Sequence, residues 1–439
     1  MSRQVGNICL LGSVVAIAIG VAGPALAHGT TERVNLGPGG VQANTYSQYV
    51  SLSADGRFVA FNTGASNLVS GDTNELWDVF VRDRQTGTTR RVSVGTGGGG
   101  QSNDYTYTAE ISANGRIVAF ESLASNLVLG DTNETMDVFV HDRKTGVTQR
   151  VSLGLGVQAK GPSFSPSVSA GGRFVAFNSY ASNLVPGDTN NLDDVFVRDR
   201  QTGTTQRVNV GTGGNQANSG SGRPAISADG RFVAYTSPAS NLVPGDTNHF
   251  VDVFVRDREK GITERASVGP GSVQGDRDSD QYPAISADGR FVAFSSYARN
   301  LVPGDTNNEA DVFVRDRQNG TTQRVNVGQG GVQANGLSGH PSISADGRLI
   351  TFDSEASNLV SDDTNGRPDV FVHDRRTGTT RRVSVRTGGG QGNGNSPFHS
   401  AFPAMSADGR AIAFESDDSN LVPGDTNETT DVFVRILVP

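Results

Sequence analysis

The segment Ser-Ala-[Asp/Asn/Gly]-Gly-Arg begins at Ser53, Ser112, Ser169, Ser227, Ser286, Ser344 and Ser406, at intervals of 59, 57, 58, 59, 58 and 62 residues. Seven related units therefore occupy nearly all of a 439-residue chain. A unit of this length cannot bury its apolar surface alone and must stack on its neighbours. Each unit reads as four short strands. The first is a small-residue piece such as Pro224-Ala225-Ile226-Ser227, and the second follows a tight turn, as in Arg231-Phe232-Val233-Ala234-Tyr235. The third is of the type Asp252-Val253-Phe254-Val255-Arg256, and the fourth of the type Thr205-Gln206-Arg207-Val208-Asn209-Val210.

The Asp-Gly pairs (Asp55-Gly56, Asp229-Gly230, Asp288-Gly289, Asp346-Gly347, Asp408-Gly409) mark a two-residue hairpin turn, because both residue types tolerate positive φ. The second and third strands are apolar on successive residues, which predicts burial of both faces. The fourth alternates Arg91, Val92, Ser93, Val94, as a half-exposed outer strand does. Glycine is abundant, at 56 residues, and helix-forming stretches are scarce, so the fold class is all-β. Four-stranded units with buried inner strands and a wetter outer strand describe the blades of a seven-bladed β-propeller of antiparallel sheets. The ends sharpen this. Gly29 to Leu36 copies the fourth strand, whereas Asp431-Val432-Phe433-Val434-Arg435 copies the third with no fourth behind it. The N-terminal strand is expected to complete the last blade, closing the ring and removing an exposed edge.

The units resemble a known family. Ser-Ala-Asp-Gly-Arg-Phe-Val-Ala-Phe followed by Asp-Val-Phe-Val-Arg-Asp is similar to the TolB-type, WD-like propeller repeats of exported bacterial proteins, over all seven units. TolB carries an additional α/β domain ahead of its propeller that has no counterpart here, so its partnership with an envelope lipoprotein does not transfer. The resemblance implies an interaction scaffold in an exported compartment. Fold does not fix function.

Residues 1–27 independently suggest export. Arg3 precedes an apolar run that ends in Ala25-Leu26-Ala27, the layout of a cleavable signal peptide. The expected organisation is a signal peptide over 1–27 and a propeller over 28–439, with residues 29–36 completing the seventh blade. Cys9, the single cysteine, lies in that leader, which excludes disulfides and cysteine metal sites from the mature chain. No stable membrane insertion is expected after cleavage. The net charge of −8 argues against a nucleic-acid partner.

In a propeller the loops joining strands two to three and four to one share one face. Here those loops are the long ones, and binding surfaces concentrate on such loops. Features common to all seven blades read as structural, and features unique to one blade read as candidates for function. The motif Gly-Asp-Thr-Asn-x-x-x-Asp (Asp-Asp-Thr-Asn in the sixth blade) recurs in every second loop. It places Asp72, Asn74, Asp78; Asp131, Asn133, Asp137; Asp188, Asn190, Asp194; Asp246, Asn248, Asp252; Asp305, Asn307, Asp311; Asp363, Asn365, Asp369; and Asp425, Asn427, Asp431 at a fixed spacing. Such oxygens are candidate calcium ligands. They equally fit turn anchoring, in which each aspartate caps its own loop. Six of the seven loops lack the following glycine of calcium loops; Gly366 in the sixth is the exception. The repeated Arg-Asp-Arg after strand three (Arg82, Asp83, Arg84 and copies) suggests ion pairs on a solvated rim. His141 and His373 read as surface substitutions within it.

The blade-specific candidates for ligand contact are Trp77, the only tryptophan, with Tyr105, Tyr107, Phe250, Tyr282, His340 and His399. Aromatic groups with polar tips suit protein or glycan surfaces, although such rings also pack their own loops. His249, His340 and His399 form the best enzyme signal, since propeller lyases acting on acidic sugars use a histidine cluster with a metal. They match no metal-ligand spacing. There is no Gly-x-Ser-x-Gly elbow and no phosphate loop. Three readings result: an exported non-enzymatic scaffold for a protein or glycan partner, a calcium-stabilised surface protein, and a propeller enzyme such as a polysaccharide lyase. The first is preferred and assigns no catalytic residue.

Overall fold

The computed structural model describes residues 29–279, 282–394 and 402–438; the expected signal peptide and His399 lie outside the described residues. Seven four-stranded antiparallel sheets are arranged as the blades of a propeller. The first blade runs Ser47–Leu52, Phe58–Thr63, Asp78–Asp83 and Thr88–Arg91 from the axis outward. The last combines Ala404–Met405, Ala411–Ser416 and Asp431–Ile436 with the N-terminal strand Thr30–Arg33. That strand pairs with the C-terminal one from Thr30 opposite Ile436 to Arg33 opposite Phe433. The ring closes as the offset of the two ends predicts. No described helix is long and apolar enough to cross a membrane.

The core lies between blades. The second and third strands of a blade put Val79, Val81 and Ala60 against Val118, Phe120 and Phe139 of the next, and equivalent clusters recur around the ring. Alternation along buried strands sends one set of side chains to each neighbour. Within a blade the two central aromatics stack, as Phe61 and Phe80 do at 6.1 Å.

The hairpin-turn face is locked by the repeated arginines. Arg57 of the Ser-Ala-Asp-Gly-Arg turn gives a two-pronged bond to Asp83 (Nε–Oδ1 2.9 Å, Nη2–Oδ2 2.7 Å). The same pair recurs in the next five blades, as at Arg116–Asp142 and Arg348–Asp374. The arginine of the following blade, Arg143, covers the Phe58 ring at 4.1 Å and donates to the Gly115 carbonyl. Gly115 itself has φ +67°, and a Cβ there would collide with Phe58. Asp83 is buried, and the Arg57 hydrogen bonds hold its carboxyl down near 2. The Arg-Asp-Arg segment is thus an inter-blade clamp, not a solvated rim. The two histidines that replace its first arginine are likewise buried. His141 and His373 each bond a strand-four threonine through Nδ1, to Thr148 and Thr380 at 2.9 Å, and desolvation pushes His373 down to about 4.

Candidate functional site: the channel mouth on the loop face

At the hairpin-turn end the seven first strands converge. In six of the seven Ser-Ala-[Asp/Asn/Gly]-Gly-Arg segments the alanine donates its N–H to its counterpart in the next blade: Ala54 to Ala113 at 2.9 Å, Ala170 to Ala228, Ala228 to Ala287 and Ala287 to Ala345 at 3.1 Å, Ala345 to Ala407 at 2.9 Å, and Ala407 back to Ala54 at 3.0 Å. Only a small side chain fits where backbones meet this closely, which accounts for the invariance of that alanine. The axial channel runs from this alanine ring to the first-strand residues of the loop face and encloses about 410 Å³. Sites for small ligands or ligand ends are typically concave and of this size.

The loops around the wide end are built from the repeated residues. Within each loop pair one arginine of strand four lies between the two aspartates: Arg207 Nη1 is 3.2 Å from Asp188 and 3.1 Å from Asp194. The same arrangement holds at Asp72, Asp78 and Arg91; at Asp131, Asp137 and Arg150; at Asp246, Asp252 and Arg265; at Asp305, Asp311 and Arg324; at Asp363, Asp369 and Arg382; and at Asp425, Asp431 and Arg33. The asparagine points its amide, not its oxygen, at the second aspartate: Asn74 to Asp78 at 3.2 Å, Asn133 to Asp137 at 2.9 Å, Asn248 to Asp252 at 3.0 Å, Asn427 to Asp431 at 3.0 Å. The glutamine of the neighbouring loop clasps the threonine, as Gln216 does with Thr189 at 2.8 Å. These donors support the turn-anchoring role. Gly366 has its own explanation: it occupies a left-handed position (φ +63°) that Glu75, Glu134, Asn191, His249, Asn308 and Glu428 fill elsewhere at φ +54° to +60°. Among the described residues no group of three or more His, Cys, Asp or Glu converges as metal ligands do.

Inside this uniform frame one position differs in almost every blade. Four residues before each repeat serine stand Tyr49, Thr108, Ser165, Arg223, Tyr282, His340 and Phe402, and all seven line the channel mouth. Six of them have positive φ, from +21° at Phe402 to +55° at Tyr49. In five blades the register of the first strand shifts at this point, so the residue is a β-bulge that turns its side chain toward the axis. Left-handed backbone at non-glycine residues is costly and concentrates at functional sites.

Five of the seven side chains form one chain of contacts. Phe402 lies 4.2 Å from His340, 5.9 Å from Tyr49 and 6.1 Å from Tyr282, ring centre to ring centre. Arg223 lies over the Tyr282 ring at 4.9 Å, a cation–π contact. His340 Nδ1 is held 3.0 Å from Asp353 Oδ1. An arc from the fourth blade round to the first is therefore aromatic and carries a cation. The opposite sector, at the second and third blades, is acidic: Glu121 accepts the bulge N–H of Ser165 at 2.6 Å. Within the aromatic arc Glu415 accepts that of Tyr49 at 2.5 Å. Glu110 lies one step deeper, bonded by Ser51 Oγ at 3.2 Å. Desolvation pushes both Glu110 and Glu121 up to about 7. It also raises Tyr49, with the nearby Tyr282 hydroxyl as the next largest cause.

Two of the residues singled out from the sequence meet here: Tyr282 and His340, 6.1 Å apart. Trp77 packs at 4.6 Å on Tyr46, which lies in the loop entering the same blade. Tyr105 and Tyr107 stack on each other at 6.2 Å. Phe250 lies beside the exposed turn at His249 in the fourth blade's loop, so His249 and His340 form no pair. Tyr49 and Phe402 also stand out in the sequence as aromatics of the variable face, whereas Thr108, Ser165, Arg223 and Glu110 do not; the first three share with the aromatics a column that varies from blade to blade.

No family model matches the chain, and no curated protein sequence matches it. Solved structures do. Oligogalacturonate lyase in complex with manganese superimposes with a TM-score of 0.53 at 13% identity, covering 94% of this chain and 99% of that one. The β-propeller domain of the trilobed protease from Pyrococcus furiosus gives 0.51 at 10% identity, over 89% and 95%. TolB from Acinetobacter baumannii gives 0.40 at 14% identity, over 88% and 78%, and at that distance it assigns no family. The likeness is one of fold.

Proposed function

We propose that this chain is an exported, non-enzymatic binding scaffold that engages a protein or glycan partner through its loop face, with the channel mouth as the specific site. The observation that carries this reading is the ring of seven bulge residues. The backbone repeats there, but the side chains do not, and Tyr49, Tyr282, His340, Phe402 and Arg223 present aromatic and cationic surface to solvent at the opening of a cavity. Aromatic and arginine side chains in a desolvated pocket dominate the energetics of recognition. The tyrosines and tryptophan of the first and second blades' loops form the surrounding rim.

The test is binding to peptide and glycan arrays by the purified protein and by a Phe402→Ala/Tyr282→Ala variant. Binding that is lost in the variant, while its thermal midpoint is unchanged, supports the mouth as the site. Binding unaffected by the variant, or lost instead on replacing Trp77, Tyr105 and Tyr107, moves the site to the rim.

A second reading, a propeller lyase acting on an acidic sugar, draws on the orientation of His340 by Asp353 beside Tyr282 and Arg223. Turnover of a glycan panel, with and without divalent metal, decides for it. The calcium-stabilised alternative rests on the loop aspartates alone. The arginine already between them weighs against it.

A further inference from the structure

Below its mouth the channel changes character. The next layer of first-strand residues consists of Ser51, Glu110, Ser167, Ala225, Ala284, Ser342 and Ala404, all of which line the channel except the buried Ser51. Glu110 is the only ionisable group in it, and everything deeper is alanine or the edges of residues such as Val168, Ile285 and Ile343. Among the described residues Ser51 is its one hydrogen-bond donor, through Oε2. The other oxygen, Oε1, is left to the channel.

The architecture has no need of this acid. Ser51 Oγ ties the first two blades by accepting the N–H of Ile111 at 3.2 Å. Between the third and fourth blades Ser167 accepts the N–H of Ile226 at the same 3.2 Å, with Ala225 in the position of Glu110. A carboxylate that is desolvated without a counter-ion is costly, and one retained without a structural duty points to a ligand.

Resting on the mouth as the binding site, we propose that the throat beneath it accepts a lysine side chain of a partner protein, with Glu110 as counter-ion to the ammonium and the mouth aromatics around the stem. Mouth and throat layers are two strand residues apart, about 7 Å, which matches an extended lysine side chain. Small and apolar walls suit its methylene stem, which packs along apolar surface while the charged head seeks a polar partner. They suit a sugar ring poorly, because among the described residues Ser167 and Ser342 are the only other side-chain hydrogen-bonding groups lining the channel at that level. The field agrees in sign. Glu121 and Glu415 stand behind the mouth, on the bulge N–H groups of Ser165 and Tyr49, and Asp353 stands behind His340, whereas Arg223 is held on Tyr282. Burial places Glu110 near 7, so an ammonium group entering would favour its ionised form.

The probes are the tripeptide acetyl-Gly-Lys-Gly-amide, its Nζ-acetyl-lysine and norleucine analogues, and glucosamine, titrated calorimetrically into the purified protein. The expected result is binding of the lysine peptide at least tenfold tighter than both analogues and glucosamine. Glu110→Gln should abolish that preference without lowering the thermal midpoint. A lysine peptide that does not bind, or binds as well to Glu110→Gln, overturns the proposal; so does tighter binding of glucosamine, which would make the ligand an amino sugar. The variant Phe402→Ala/Tyr282→Ala separates the two readings. Array binding that depends on these rings but not on Glu110 retains the mouth site and removes the lysine.

Discussion

Replacing Arg207 by methionine tests what the repeated acidic loops hold. Arg207 is 9% exposed at its side chain and stands between Asp188 at 3% and Asp194 at 0%. Asp194 keeps amide donors from Asn190 (3.2 Å) and Asn209 (2.5 Å) when the guanidinium is removed, but Asp188 is left beside a second buried carboxylate with no counter-charge. Breaking a buried ion pair from one side costs about 3–5 kcal/mol, and the surviving amides place the expected loss at the lower end. Unfolding entropy of about 2.1 cal/mol/K per residue makes each kcal/mol worth about 1 °C in a chain of roughly 400 residues. A fall of about 3–4 °C is therefore expected by scanning calorimetry at pH 7, and Asp188→Asn in the same background should restore most of it. Wild-type protein should respond neither to chelator nor to calcium, whereas Arg207→Met, with its uncompensated acids, should be stabilised by calcium. The reasoning is refuted by an Arg207→Met midpoint within 0.5 °C of wild type together with a wild-type midpoint that drops on chelation.

Deleting residues 29–36 removes the ladder to Asp431–Ile436 and also Arg33, the counter-ion of Asp425 and Asp431; the thermal midpoint should fall by at least about 10 °C, and an unchanged midpoint would count against ring closure. Glu110 has a folded pKa of about 7, above its unfolded value, so its penalty is absent below about pH 4 and grows as pH rises through 7. Glu110→Gln should accordingly stabilise the protein at pH 8, by on the order of 2–3 kcal/mol, and change little at pH 4, as read from denaturant midpoints. Asp83 and Asp374 behave oppositely: both are held near 2, so the stability they contribute is full above about pH 4 and is lost as pH falls toward 2. Asp83→Asn should flatten that acid limb in pH-dependent unfolding. Gly289→Ala, at φ +72° and against the Phe232 ring, should cost about 1–3 kcal/mol, measured in urea.

Two parts of the sequence-based reading changed for the same reason. The Arg-Asp-Arg segments looked solvated because a charged run at a strand end normally is, yet in the closed ring Arg143 lies over Phe58 of the preceding blade. His141 and His373 looked like surface exchanges, yet each sits buried against a strand-four threonine. The first depends on the adjacent sheet, about 85 residues away in the chain; in the second the same threonines donate on to carbonyls of the preceding blade, Thr148 to Val94 and Thr380 to Val327.

The sequence by itself determined the number of blades, the order of strands within each and the completion of the last by the N-terminal strand. Those follow from short-range physics: Asp-Gly turns that accept positive φ, apolar runs buried on both faces, and a strand copy displaced from one end to the other. The tertiary structure alone decided the site. Tyr49, Arg223, Tyr282, His340 and Phe402 lie roughly 60 to 350 residues apart and become neighbours only because ring closure points the same bulge of each blade at one axis. The same convergence leaves Glu110 deep in a channel of alanines and serines, with a charge that the fold itself does not require.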